Sequence, residues 1–133
     1  MEKVIFRCLK CKVALSIPLV EDKELAQPRV EPNFIAQGCY VVLKHGVFIP
    51  GATGHFAIHL DDARNTERHP DIERLYGCCG PEGIHGLNTI CVSGHEIGTE
   101  KSDCYTDRGL AFDPDSVEIE RIVVADQQLQ TPM

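Results

Sequence analysis

Two cysteines three positions apart, Cys8 and Cys11, sit in the short stretch Phe6-Arg7-Cys8-Leu9-Lys10-Cys11-Lys12, and Cys78, Cys79 and Cys91 follow far along the chain. At this spacing two thiolates can grip one tetrahedral ion from a single tight turn, and a distant ligand group is needed to close the shell. The pattern therefore demands a fold that brings an N-terminal turn against a loop from the second half of the chain. Few small folds satisfy that demand.

The flanking residues say what kind of chain makes the turn. Val4-Ile5-Phe6 precedes it, and Val13-Ala14-Leu15-Ser16-Ile17 follows, with Val13, Leu15 and Ile17 on one face. Period-two alternation on both sides of a turn predicts a hairpin with the cysteines at its tip. A redox C-x-x-C would instead open a helix behind its second cysteine.

Pro28 and Pro32 break the stretch 18–33, which reads as a crossover with helix conceivable only over 21–26. Short β-rich runs then recur at 39–43, 46–49 and 55–60, and later at 87–92, 96–99, 103–112 and 116–124. Their spacing predicts a mainly β protein with antiparallel sheets. Between them, the charged stretch 61–76 reads as a connection with one short helix opened by Pro70-Asp71, turning Ile72 and Leu75 inward. One domain over 1–125 and a flexible polar tail at 126–133 complete the expected organisation.

The stretch Gly77-Cys78-Cys79-Gly80-Pro81-Glu82-Gly83 is too rich in Gly and Pro for regular structure and reads as a ligand-bearing loop. Cys91 lies in a second turn, Ile90-Cys91-Val92-Ser93-Gly94, where Ser93 stands in place of a further cysteine. A hydroxyl is a poor zinc ligand. The expected zinc site is thus Cys8, Cys11, Cys91 and one of Cys78 or Cys79, with Cys79 favoured by the glycine that follows it. A closed thiolate shell has no open position for water, so its role is structural. Cys39, within an apolar run, reads as a core residue, and His55 and His59 read as turn or surface histidines because no catalytic metal motif surrounds them.

Charge narrows the function classes. Thirteen basic residues against twenty acidic ones leave a net charge of −7, with the Lys and Arg scattered. That field opposes phosphate tracking and argues against a nucleic-acid partner. No apolar run reaches membrane-spanning length, and Lys3, Arg7, Lys10 and Lys12 interrupt the first residues, so a cytoplasmic location is expected. The odd count of seven cysteines fits thiolate chemistry in a reducing compartment better than paired disulfides.

These segments resemble the beta-tent group of zinc proteins, which includes methionine-R-sulfoxide reductases, yippee-like proteins and the drug-binding domain of cereblon. Arg7-Cys8-Leu9-Lys10-Cys11 resembles the first zinc turn of the reductases, and Cys91-Val92-Ser93-Gly94-His95-Glu96-Ile97-Gly98 resembles the second, one residue shorter and with one cysteine fewer. In Cys104-Tyr105-Thr106-Asp107-Arg108-Gly109-Leu110-Ala111-Phe112, Cys104 is at the position of the reductase nucleophile. Ser102, Thr106 and Thr99 replace the Arg, Asn and His that surround that nucleophile in the reductases. Two functions follow as expectations: a structural-zinc module that binds or scaffolds a protein or small molecule, and a thiol-dependent oxidoreductase using Cys104 with His95 as its nearest base.

Overall fold

The computed structural model describes residues 2–22, 35–44, 52–77, 80–102 and 108–123. Cys78, Cys79, Cys104, the expected strand at 46–49 and the tail 126–133 lie outside these residues. The described elements are strands β1 (Glu2–Cys8), β2 (Val20–Glu21), β3 (Cys39–Val42), β4 (Phe56–Ile58), β5 (Thr66–Arg68), β6 (Thr89–Cys91), β7 (Glu96–Lys101), β8 (Gly109–Phe112) and β9 (Val117–Val123). Two 3-10 turns, Leu60–Asp62 and Ile72–Leu75, account for the helical residues.

The strands form two sheets. β1 pairs antiparallel with β9 along seven residues, from Glu2 opposite Val123 to Cys8 opposite Val117. The other strands make a seven-stranded sheet in the order β2-β3-β4-β8-β7-β6-β5, antiparallel except for the parallel β2–β3 pair. The mainly β, antiparallel architecture expected from the spacing is present.

β1 shows how sequence becomes packing. Val4, Phe6 and Cys8 alternate inward and are buried, while the residues between them stay partly exposed. Phe6 is fully buried, with its ring centroid 5.2 Å from Tyr40, 5.0 Å from Phe56 and 5.3 Å from Phe112. The first of these contacts is edge-on, at 87°, the arrangement that ring quadrupoles favour. One side chain of the two-stranded sheet thus docks among three aromatics of the larger sheet. β8 lies between β4 and β7 with all four residues buried, which explains its unbroken apolar run. β7 comes so close to it that a Cβ on Gly98 would stand 2.5 Å from the Ala111 carbonyl oxygen.

Three expectations need correction. The return arm of the first hairpin is not a regular strand: it touches its neighbours by isolated bridges, Arg7 to Ala14 and Ser16 to Ala63. Ser16 Oγ accepts the Phe6 N–H at 3.1 Å, taking the place of a ladder carbonyl; Leu15 is nevertheless fully buried, with Val13 and Ile17 packed against the same core. The stretch 61–76 carries an edge strand, β5, besides its helical turn. That turn is a 3-10 segment capped by the Asp71 carboxylate, and Ile72 is 71% exposed instead of turned inward, because one short turn cannot present two residues to the core.

Cys39 is only half-buried, against a smaller cluster of Ile35, Val41, Leu43, Ala52, Ala57 and Ala111. His59 is a turn histidine, as expected, but a buried one: its Nδ1 accepts the Asp61 N–H at 3.0 Å and caps the first 3-10 turn.

Candidate metal centre

The two cysteine turns meet where the two sheets meet. The first begins at the end of β1. Lys12 N–H donates to the Cys8 carbonyl at 2.9 Å, and Cys8 N–H donates to the Val13 carbonyl at 3.0 Å. Closing so tight a turn puts Lys12 in the left-handed region, at φ 68°, where a non-glycine residue costs roughly 1–2 kcal/mol. The Arg7 guanidinium braces it by donating to the Lys12 carbonyl at 2.9 Å.

The second turn joins β6 to β7. Cys91 N–H donates to the His95 carbonyl at 2.9 Å and Gly94 N–H to the Cys91 carbonyl at 2.8 Å, with Gly94 at φ 93°. This is a three-residue hairpin loop whose last position requires the left-handed conformation, which glycine supplies without penalty. The sharp turn brings His95 back beside Cys91.

Four side chains converge there. Cys8, Cys11, Cys91 and His95 offer ligand atoms that all lie within 4.8 Å of one another, and together they could hold a metal ion. His95 Nδ1 is 3.5 Å from Cys8 Sγ and 3.4 Å from Cys91 Sγ, and the Cys11 and Cys91 sulfurs are 3.7 Å apart. Cys8 and Cys91 are buried, whereas Cys11 and His95 are half-buried.

Backbone donors surround the sulfurs as a thiolate cluster needs. Ser93 N–H donates to Cys91 Sγ at 3.4 Å. The Val13 N–H is the main reason the Cys11 thiol is lowered from 9.0 to about 6, against some opposing desolvation. Burial pushes the Cys8 thiol up, offset by the N–H groups of Cys11 and Lys10. In the metal-free cluster Cys11 is therefore ionised more readily than Cys8.

Three of the expected ligands, Cys8, Cys11 and Cys91, are brought together. Cys78 and Cys79 lie outside the described residues; among the described ones, His95 is the fourth group able to reach the ion. The sequence did carry a signal for it: Cys91-x-x-x-His95 has the short spacing common between paired zinc ligands. Ser93 contributes its backbone N–H to Cys91 Sγ. Cys104 lies outside the described residues, and His95, its expected base, has its Nδ1 facing the sulfurs of Cys8 and Cys91.

Compared with family models, with curated proteins and with solved structures, the chain matches none. No helix among the described residues is long and apolar enough to cross a membrane.

The turn bearing His95 is anchored from outside by its neighbour. Glu96 Oε2 accepts from Arg74 Nη1 at 2.6 Å and from His69 Nε2 at 2.9 Å. Because His69 Nδ1 accepts the Asp71 N–H, the ring proton must sit on Nε2, where it reaches Glu96. The His69 hydrogen bond, with help from Arg74, holds the Glu96 carboxyl below its ordinary 4.5 despite partial burial. A depressed carboxylate stabilises the fold above its unfolded pKa, and that contribution fades as the pH drops through the folded value. At 42% side-chain exposure, screening keeps it under about 1 kcal/mol. Glu96→Gln should thus cost under about 1 kcal/mol in urea titrations near neutral pH, and the gap to wild type should narrow as the pH falls below the ordinary carboxylate value and through the lowered folded one; an unchanged gap in acid would refute the assignment.

A groove of about 500 Å³ opens beside the cluster, lined by Cys8, Leu9, Lys10, Leu87, Gly94, His95, Glu96, Asp113, Asp115 and Ser116. Both cysteine-bearing turns and the β8–β9 connection contribute to its walls. Its volume falls within the range of small-molecule sites.

Proposed function

We propose that the protein is a zinc-stapled β module whose metal, held by Cys8, Cys11, Cys91 and His95, has a structural role, and whose function is binding or scaffolding. The carrying observation is the convergence of four ligand atoms from two turns on one point. A tetrahedral zinc with Zn–S of about 2.3 Å and Zn–N of about 2.0–2.1 Å has S–S edges of about 3.8 Å and S–N edges of about 3.6 Å. The separations of 3.7, 3.5 and 3.4 Å in the cluster are close to those edges. Three thiolates with one imidazole are a donor set that favours zinc over harder cations.

The same donor set argues for structure over turnover. Three sulfurs and one nitrogen complete a tetrahedral shell, leaving no position for a reacting water. The metal would tie the end of β1, in the small sheet, to the β6–β7 hairpin of the large one. The shared groove then becomes a binding face whose shape depends on the staple. The resemblance to beta-tent proteins agrees with this reading, which rests on the geometry.

Elemental analysis and cobalt substitution test it. Protein purified without chelator should carry one zinc per chain, and Co(II) exchanged into it should show thiolate charge-transfer bands with the visible absorption of a tetrahedral ion. A chain that holds no stoichiometric metal and gives only an octahedral cobalt spectrum would sink the proposal.

A further inference from the structure

Within the cluster the four ligands are not equivalent, and the difference points to a second chemistry. Cys8 and Cys91 are essentially inaccessible, at 1% and 0% exposure, while Cys11 is only half-buried. The Cys11 sulfur is also in direct contact with that of Cys91, 3.7 Å away, across 80 residues of sequence. An accessible sulfur thus stands against a shielded one on the opposite turn. A disulfide needs about 2.05 Å between sulfurs, so the pair must close by roughly 1.7 Å. Cys11 lies on a tight turn and Cys91 at the strand end where the next turn begins, so a change of the Cys11 rotamer can move its sulfur toward Cys91 while the strands stay in place.

We infer that Cys11 and Cys91 form a peroxide-oxidisable pair, which exchanges the metal staple for a covalent one between the same two turns. The inference rests on the metal reading above. The Cys11 thiolate attacks the O–O bond of a hydroperoxide; an S–O bond forms, the O–O bond breaks, and the departing oxygen leaves as hydroxide or alkoxide and takes a proton from water. The Cys91 thiolate then attacks the sulfenic sulfur, forming the S–S bond as the S–O bond breaks and hydroxide leaves. The two sulfurs together lose two electrons and the peroxide gains them. With two of its four ligands consumed, the site can no longer hold its ion. Cys8 and His95 remain, too few for a tetrahedral shell.

This differs from ordinary metal loss in one respect. A chelator leaves the two turns untethered, whereas the disulfide keeps them joined, so the metal is released without the sheets coming apart. A thiol reductant with added zinc restores the starting state. The cluster would then act as a sensor whose output is a free metal ion and an altered groove.

The test uses wild-type protein whose zinc content has first been measured. Hydrogen peroxide is added in steps, released zinc is followed with a chromogenic chelator, and disulfides are mapped by non-reducing peptide mass spectrometry. The expected result is one zinc released for each Cys11–Cys91 disulfide, with retention of a cooperative melt and full reversal by reductant plus zinc. Loaded protein that keeps its zinc through excess peroxide, or that loses it through a Cys8–Cys11 bridge or through sulfinic acids, overturns the inference and leaves the metal reading standing. Protein with no zinc before peroxide is added overturns both.

Discussion

Stripping the metal with a strong chelator near neutral pH is expected to lower the melting temperature by on the order of 10–15 °C. A ligand present at a thousand times its Kd stabilises the folded state by about 4 kcal/mol, and each kcal/mol moves the melt of a domain this size by about 2–4 °C or somewhat more. The loss is large because of where the site sits. Cys8 and Cys91 belong to the main core cluster together with Phe6, Leu15, Ile97 and Phe112, so an empty site leaves thiols with unmet ligation at the junction of two sheets. Differential scanning calorimetry of chelated and zinc-restored samples gives the number. Identical melts, in a protein shown to carry zinc beforehand, would mean that the ion contributes nothing to the fold.

The next largest effect is expected from Phe6→Ala, which should cost about 3–5 kcal/mol. Phe6 is fully buried and touches three aromatic rings of the opposite sheet, so its removal leaves a cavity that rigid ring neighbours cannot fill. Phe6 is two residues before Cys8 on the same face of β1. The variant should therefore weaken zinc retention as well as stability, which separates it from a truncation elsewhere in the core. Urea unfolding of the zinc-loaded proteins measures the first effect and competition with a chromogenic chelator the second. A loss under about 1 kcal/mol would mean that the sheets are not held together through this side chain.

Local patterns were legible and long-range choices were not. The alternation of Val4, Phe6 and Cys8, the C-x-x-C turn and the β-rich runs at 87–92, 96–99 and 116–124 are all local patterns, and the structure has them within a residue or two of the expected places; of the run expected at 103–112, the described strand covers Gly109–Phe112. Ser16 defeated the strand expected on the return arm because its hydroxyl competes for a backbone donor, which hydrophobic alternation does not record. β2 is two residues long and parallel to its neighbour, too short to leave any periodic trace. In the candidate metal site, Cys8, Cys11 and Cys91 were legible by spacing and local turn residues; the Cys91-x-x-x-His95 spacing was there too, but a histidine spaced like this is a weaker signal than paired cysteines, and only the folded turn places its ring beside the sulfurs. The left-handed Lys12 was equally hidden, since that conformation is usually signalled by glycine.

The ladder between β1 and β9 bears on how the protein folds. Glu2 faces Val123 and Cys8 faces Val117, so the first of the described strands finds its partner in the last of them. Closing so distant a pair makes folding intrinsically slow, and Phe6 is covered only when β3, β4 and β8 have come together around it. Cys8 and Cys11 are held near one another by their own local turn, whereas Cys91 and His95 reach them only through that long-range fold.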